Sequence, residues 1–172
     1  LLGLAMWPGI SHAQSCGNDS IYKIPYKDTY VKQALVAENE FRVQQPKYVT
    51  LPTFTEAKQI LPNPIWAGHE EEINMYWRAW EIGVGNLRNP QPGSGFIMPY
   101  IDTAYNGNIF MWDSSFILMF ARYGARFFPF QNTLDNFYAK QHPDGFICRE
   151  IKADGADCFE RYDPVSTGPN LI

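Results

Sequence analysis

Charge is scarce in this chain, and none of it is gathered into a basic stripe that could lie along a polyanion. Only 19% of the 172 residues are charged, with 14 Lys and Arg against 18 Asp and Glu, for a formal net charge of −4. Scattered cations make no basic face, so nucleic acid is not expected as a partner. Cysteine and histidine are equally rare, three of each. His12, His69 and His142 stand far apart, none with a second ligand at finger or HExxH spacing, so neither a metal nor a cofactor is expected. The N-terminal apolar run Leu1–Ile10 is too short to span a membrane. Sequence repeats and low-complexity tracts are missing too. Low charge together with 45% hydrophobic residues excludes a disordered chain and leaves material for one domain with a real core.

What is present begins with a compartment signal. Leu1–Ile10, broken near its end by Pro8-Gly9, is followed by Ser11-His12-Ala13 and Gln14-Ser15. This resembles the apolar region and small-residue cleavage site of a secretory signal peptide. No initiator Met or basic segment precedes it, so the chain is expected to begin inside that peptide, with cleavage after Ala13 and export to the periplasm or the extracellular space. Cys16 raises a lipoprotein anchor, against which Gln14 stands where a lipobox prefers a small or apolar residue. Export permits disulfides. Cys148 and Cys158, ten apart in one polar segment, either staple a loop or remain two thiols, and spacing alone leaves both open.

Aromatic residues are plentiful, 16% of the chain, and many lie beside Asn, Asp, Gly and Pro. Aromatic faces suit the C–H faces of sugar rings and planar polar groups suit the hydroxyls, although a generic aromatic core explains the same composition. The pattern along the chain is helix, long polar loop, helix. Asp28–Val43 reads as a first helix, and Pro46, Pro52, Pro62 and Pro64 then punctuate an extended stretch with a turn at Thr55–Leu61. Gly68–Leu87 reads as an amphipathic helix through Ile73, Tyr76, Trp77, Trp80 and Val84, with Glu70-Glu71-Glu72 on its positive end. Trp66, Trp77 and Trp80 are expected in the core.

The segment Gly107–Phe120 carries the most information. Asp113 is placed to accept a backbone N–H from Ser115 or Phe116, which starts a helix over Ser114–Phe128 that is apolar nearly all round and therefore buried. A third helix is expected over Phe130–Gln141, stopped by Pro143-Asp144-Gly145. Phe146–Ile151 and Asp157–Tyr162 then read as a hairpin around an Ala153-Asp154-Gly155 turn. Asp163-Pro164 begins another turn segment. No run of buried parallel strands is present, so the fold class is mainly α, with long loops and a possible short β-hairpin at 146–162. Around Trp112-Asp113, Tyr105 and Asp102 could line the same pocket or serve as plain loop residues. Arg149-Glu150 could touch a ligand or form a surface ion pair.

Met111-Trp112-Asp113-Ser114-Ser115-Phe116 precedes an apolar helix. A short helix follows, ending in Gln141-His142-Pro143-Asp144-Gly145-Phe146-Ile147, and then comes Arg161–Ile172. In order and spacing these segments resemble the opening half of an (α/α)6-toroid glycosidase domain of the mannosylglycerate-hydrolase-like and processing-α-glucosidase-like kind. Trehalases share a similar Trp-Asp-Ser stretch. The resemblance covers Trp66–Ile172 and divides the chain into a signal remnant (1–13), a lead-in (14–65) and the first part of a toroid (66–172). It implies that Asp113 holds a pair of sugar hydroxyls at the non-reducing end and that Trp112 shapes that subsite. It also implies hydrolysis by inversion, with two carboxyls about 6.5–9.5 Å apart.

The acid of such relatives belongs to a Glu-Ser-Gly-x-Asp type loop, which does not occur here, so the resemblance places acid and base beyond Ile172. Thr167-Gly168-Pro169 stands where mannosylglycerate hydrolases show Gln-Pro-Pro, so the substrate does not carry over. The function implied is thus a fragment of an exported glycoside hydrolase acting on an oligosaccharide or glycoside. Substrate contacts fall to Trp112, Asp113, Tyr105, Arg149, Glu150 and Asp163. A carbohydrate-binding protein without catalysis is the alternative. A polysaccharide lyase would want a Tyr with a His or Arg, and no His lies in the pocket loops. The 172-residue chain alone is expected to release no sugar from an aryl glycoside; measurable release by the purified chain overturns this.

Overall fold

The computed structural model describes residues 38–159. The signal-like stretch, most of the expected first helix, Asp163 and the turn segment around it lie outside the described residues. Of that first helix only the end is described, and Glu40–Val43 is a 3-10 turn capped by the Asn39 side chain.

The described chain is mainly helical, and its four strands are two residues each. Helix α1 (Phe54–Ile60) forms between prolines because Thr53 and Glu56 make a reciprocal capping box. The Thr53 hydroxyl accepts from the Glu56 N–H at 3.3 Å, and the Glu56 carboxylate accepts from the Thr53 N–H at 2.8 Å. Helix α2 (Glu70–Gly85) lies within the expected span and buries Trp80 and Val84. Trp77 is half-buried, but Trp66 is exposed and stacks on the His69 ring at 3.7 Å, so it is not a core residue.

Helix α3 differs from expectation at both ends. It runs Met111–Ala121, with Phe110 at its cap position and no side-chain cap, so Asp113 sits inside the first turn. The cause is tertiary: Ile109–Phe110 is strand β3, and the Met111 N–H donates to the Arg149 carbonyl at 2.8 Å. A neighbouring backbone thus satisfies a free N–H that a capping side chain would otherwise take. At the other end the chain tightens into a 3-10 turn, Arg122–Gly124. A Cβ on buried Gly124 would stand 2.6–2.9 Å from Phe127, Phe130 and Trp80, and this close approach sets Phe127 and Phe130 around the Trp80 ring. Nor is α3 buried all round. Met111, Ser114, Leu118 and Ala121 face inward, while Trp112, Phe116, Met119 and the following Tyr123 are exposed.

A 3-10 turn at Phe130–Asn132 leads into α4 (Thr133–Ala139). One core gathers Ala57, Leu61, Trp80, Leu118 and Phe128; a second gathers Phe96, Tyr100, Ile109, Phe137 and Ile151. Leu134 on α4 packs against both, which joins them.

Strand β1 (Leu87–Arg88) pairs antiparallel with β2 (Tyr100–Ile101), and β3 pairs antiparallel with β4 (Glu150–Ile151). The expected hairpin is present in short form: the turn at Ala153–Gly155 brings Asp157 antiparallel to Ile151, with the Lys152 N–H donating to the Ala156 carbonyl at 2.8 Å and the Cys158 N–H to the Glu150 carbonyl at 3.0 Å. The other edge of β4 pairs with β3, which was not expected, and residues 160–162 of the return segment lie outside the described residues. Pro143-Asp144-Gly145 turns as expected: the Asp144 carboxylate accepts from the Phe146 N–H at 3.0 Å.

The Pro- and Gly-rich stretch before β2 has little ladder to complete its hydrogen bonds. Buried Asn136 supplies them, accepting from the N–H groups of Ile97 at 2.8 Å and Met98 at 3.0 Å and donating to the Met98 carbonyl at 2.9 Å. The Thr133 hydroxyl accepts from the Ile101 N–H at 3.2 Å. Asn136→Ala strands these buried groups, so a loss of about 3 kcal/mol or more is expected. Urea unfolding of wild type and variant measures it, and a loss below about 1 kcal/mol contradicts the assignment.

Candidate functional site

The loop 102–108, the first turn of α3 and the strand β4 meet at one junction. Asp102, expected as either a pocket or a loop residue, is buried and organises the loop. Its two carboxylate oxygens accept from the N–H groups of Ala104 at 2.9 Å and Gly107 at 2.8 Å, with Arg88 at 3.5 Å. Tyr100 closes the loop from beneath, donating its hydroxyl to the Gly107 carbonyl at 2.7 Å. Burial, reinforced by the Asp102 charge, pushes the Tyr100 phenol up to about 12, so it remains a donor at neutral pH.

Tied down in this way, the loop presents Tyr105 outward. Tyr105 has φ +62° and is the one non-glycine residue with positive φ among the described residues. Its ring is 69% exposed. A tyrosine held in the left-handed region carries strain that the Asp102 contacts sustain.

Asn108 welds the loop to the far strand. Its amide donates to the Glu150 carboxylate at 3.0 Å, and its carbonyl oxygen accepts from the Ala153 N–H at 3.2 Å. Next in the chain are β3 and α3, anchored by Met111 to the Arg149 carbonyl. Four of the expected contact residues, Trp112, Asp113, Arg149 and Glu150, thus belong to one hydrogen-bonded junction, with Tyr105 three residues before Asn108. Asp113 is exposed in the first turn, where the helix dipole favours a carboxylate. Trp112 is about half exposed and meets Phe116 edge-on at 6.0 Å.

Arg149 and Glu150 do not form the ion pair considered for them. Glu150 takes Asn108, while the Arg149 guanidinium lies over the Phe159 ring at 4.4 Å, its Nε buried without a hydrogen-bond partner. Each side chain is thus engaged by a different partner, Asn108 for Glu150 and Phe159 for Arg149.

A second group of polar residues escaped sequence reasoning. His142 Nε2 meets the Asp157 carboxylate at 2.7 Å, and both side chains are almost fully enclosed. Lys140 lies close by and donates to the Ser94 carbonyl at 3.3 Å; burial lowers its pKa, and the Asp157 charge pulls the other way. No spacing rule joins residues fifteen apart, because the link is made by the turns at Gly145 and Gly155. Gly155 approaches the Ser94 backbone so closely that no Cβ fits. Among the described residues no group of three or more His, Cys, Asp or Glu is placed to hold a metal ion.

Cys148 and Cys158 do not pair with each other. Cys148 is a free buried thiol donating to the Glu150 carbonyl at 3.1 Å, while Cys158 is disulfide-bonded. The Cys158 N–H donates to the Glu150 carbonyl as well, which commits the backbone here to the β4 bridge.

Comparison with family models, curated proteins and solved structures yields no match.

Burial first, then the Asp157 charge, pushes the Cys148 thiol from 9.0 up to about 11. With Tyr100 raised from 10.0 to about 12, two acids hold their protons more tightly in the folded state. Their stabilisation is complete below about pH 9 and is lost as pH rises through 11 to 12. Lys140, with its lowered pKa, contributes in the opposite sense. The urea midpoint is therefore expected to fall between pH 8 and pH 11, and Cys148→Ala should flatten that fall. A midpoint that rises over this range contradicts the assignment.

Proposed function

We propose that this chain is part of an exported glycosidase-class protein, with the junction at the start of α3 holding the non-reducing end of an oligosaccharide or glycoside. The carrying observation is the meeting of loop 102–108, the first turn of α3 and β4. The elements that meet there expose two aromatic rings, Trp112 and Tyr105, and an open carboxylate, Asp113, and they hold an amide–carboxylate pair, Asn108 and Glu150. Aromatic surface takes the apolar face of a sugar ring, and fixed planar polar groups take its hydroxyls. In this reading the mainly helical chain contributes the first helices of an (α/α)6 toroid. The disulfide at Cys158 supports an oxidising, exported setting.

The hydrolysis belonging to this reading is inverting, with one carboxylic acid protonating the leaving oxygen and one carboxylate activating water. Neither role is assigned to a described residue. One observation favours the second reading, sugar binding without catalysis. Asp113 is open to solvent and Glu150 is already held by Asn108, an arrangement that suits contacts to sugar hydroxyls. A lyase gains no support, since His142 is enclosed with Asp157.

The test is a titration with linear gluco- and manno-oligosaccharides of two to six units, read by tryptophan fluorescence. Trp112→Ala and Asp113→Asn are each expected to weaken binding about tenfold, about 1.4 kcal/mol, with an unchanged thermal midpoint for Asp113→Asn, whose side chain faces solvent. No saturable response to any of these sugars, or variants that bind as wild type does, would sink the proposal.

A further inference from the structure

A cleft of about 590 Å³ opens at the other end of α3, lined by Ile60, Pro62, Arg122, Tyr123, Ala125 and Arg126. Its first wall is the end of α1 and the proline that follows. Leu61 is buried in the core between Ile60 and Pro62, and the Tyr76 hydroxyl donates to the Pro62 carbonyl at 2.6 Å. The second wall is the 3-10 turn after α3. Gly124 seats that turn on Trp80 and Phe130 so closely that a methyl group would overlap them. The Ala125 N–H returns to the Arg122 carbonyl at 3.2 Å. Both walls are therefore fixed by the core, although their side chains are solvent-facing.

Two cations stand on this rigid frame. The Arg122 guanidinium is held against Tyr123, with Nη2 to the phenol oxygen at 3.3 Å and the guanidinium carbon 5.2 Å from the ring centre. Neither Arg122 nor Arg126 meets a carboxylate among the described residues, whereas Arg78 and Arg88 each have one, Glu81 and Asp102. In a chain of net charge −4 this is an uncompensated positive site. Guanidinium groups recognise planar and tetrahedral oxyanions through paired N–H donors. Ile60, Pro62 and the Tyr123 ring add an apolar surface too large for a bare ion.

We infer that this cleft binds a small ring-bearing oxyanion, a carboxylate or phosphate group on a sugar-sized body. The two arginines take the anion, and Ile60, Pro62 and Tyr123 cover the ring. This site is independent of the α3 start and does not rest on the glycosidase reading.

The experiment follows the arginine Nε–H and the 122–126 backbone amide resonances of the 172-residue protein during titration. The probes are glucuronate, glucose 6-phosphate and glucose. Saturable shifts at Arg122, Tyr123 and Arg126 are expected with one or both anions, and whichever binds more tightly identifies the oxyanion. Glucose should bind at least about tenfold more weakly, since it lacks the charge-assisted bonds. Arg122→Gln with Arg126→Gln should reduce affinity by a similar factor at an unchanged thermal midpoint, and Arg42→Gln, on a distant exposed turn, should leave it as it was. Raising salt from about 20 to 300 mM should weaken binding severalfold. The inference is overturned by no saturable shift with either anion. It is equally overturned if glucose binds as well as they do, or if Arg42→Gln matches the double variant.

Discussion

An extended backbone that enters a protein interior must complete its hydrogen bonds, and here one helix does this for a segment with almost no sheet. Asn136 gives three bonds to the backbone of Ile97 and Met98, and Thr133 gives one to Ile101. Both side chains are fully buried. Phe96, Tyr100 and Ile101 then fill both cores while the rest of the loop stays outside. Without α4 in contact, those aromatic residues would bring unpaired amides inside with them.

Much of the junction at the start of α3 depends on this arrangement. Tyr100 and Asp102 follow directly from the held segment, and they close the loop that presents Tyr105 and ends at Asn108. Asn108 and Met111 attach that loop and α3 to β4. The two ends of α3 are thus set by different contacts: the first turn by the β4 backbone, the last by Gly124 against Trp80. Between them runs an exposed apolar face, Trp112, Phe116 and Met119, with polar groups at each end. The His142–Asp157 pair, almost fully enclosed, shapes the loops behind β4.

Legibility followed the range of the interactions. Helix α2 was readable because its apolar positions recur at helical spacing and its acidic first turn is local. The capping box of α1 could have been read from Thr53 and Glu56, three residues apart and followed by a Pro-terminated turn; only a turn was expected there. The Asp144 turn was readable because an Asx contact spans two residues. Helix α3 misled because Trp-Asp-Ser-Ser carries a local cap signal that Arg149, far along the chain, overrides. The turn at Ala153–Gly155 and the bridge it makes were readable because they are local, whereas the pairing of β4 with β3, far back in the chain, was not. Sequence reasoning did select Trp112, Asp113, Tyr105, Arg149 and Glu150 in neighbouring parts of one junction, but it assigned Asp102 no definite role and gave His142 and Asp157 none.

From sequence alone came a mainly helical chain, low in charge, aromatic and punctuated by proline. These properties depend on composition and on contacts a few residues apart. Tertiary structure decided where α3 begins, which of its faces is covered, which cysteine carries the disulfide, and that Arg122 and Arg126 share a cleft with Ile60. Each of these depends on groups distant in sequence competing for the same N–H, the same thiol or the same space. Local preference cannot rank such competitors, because their free energies differ only once the core has brought them together.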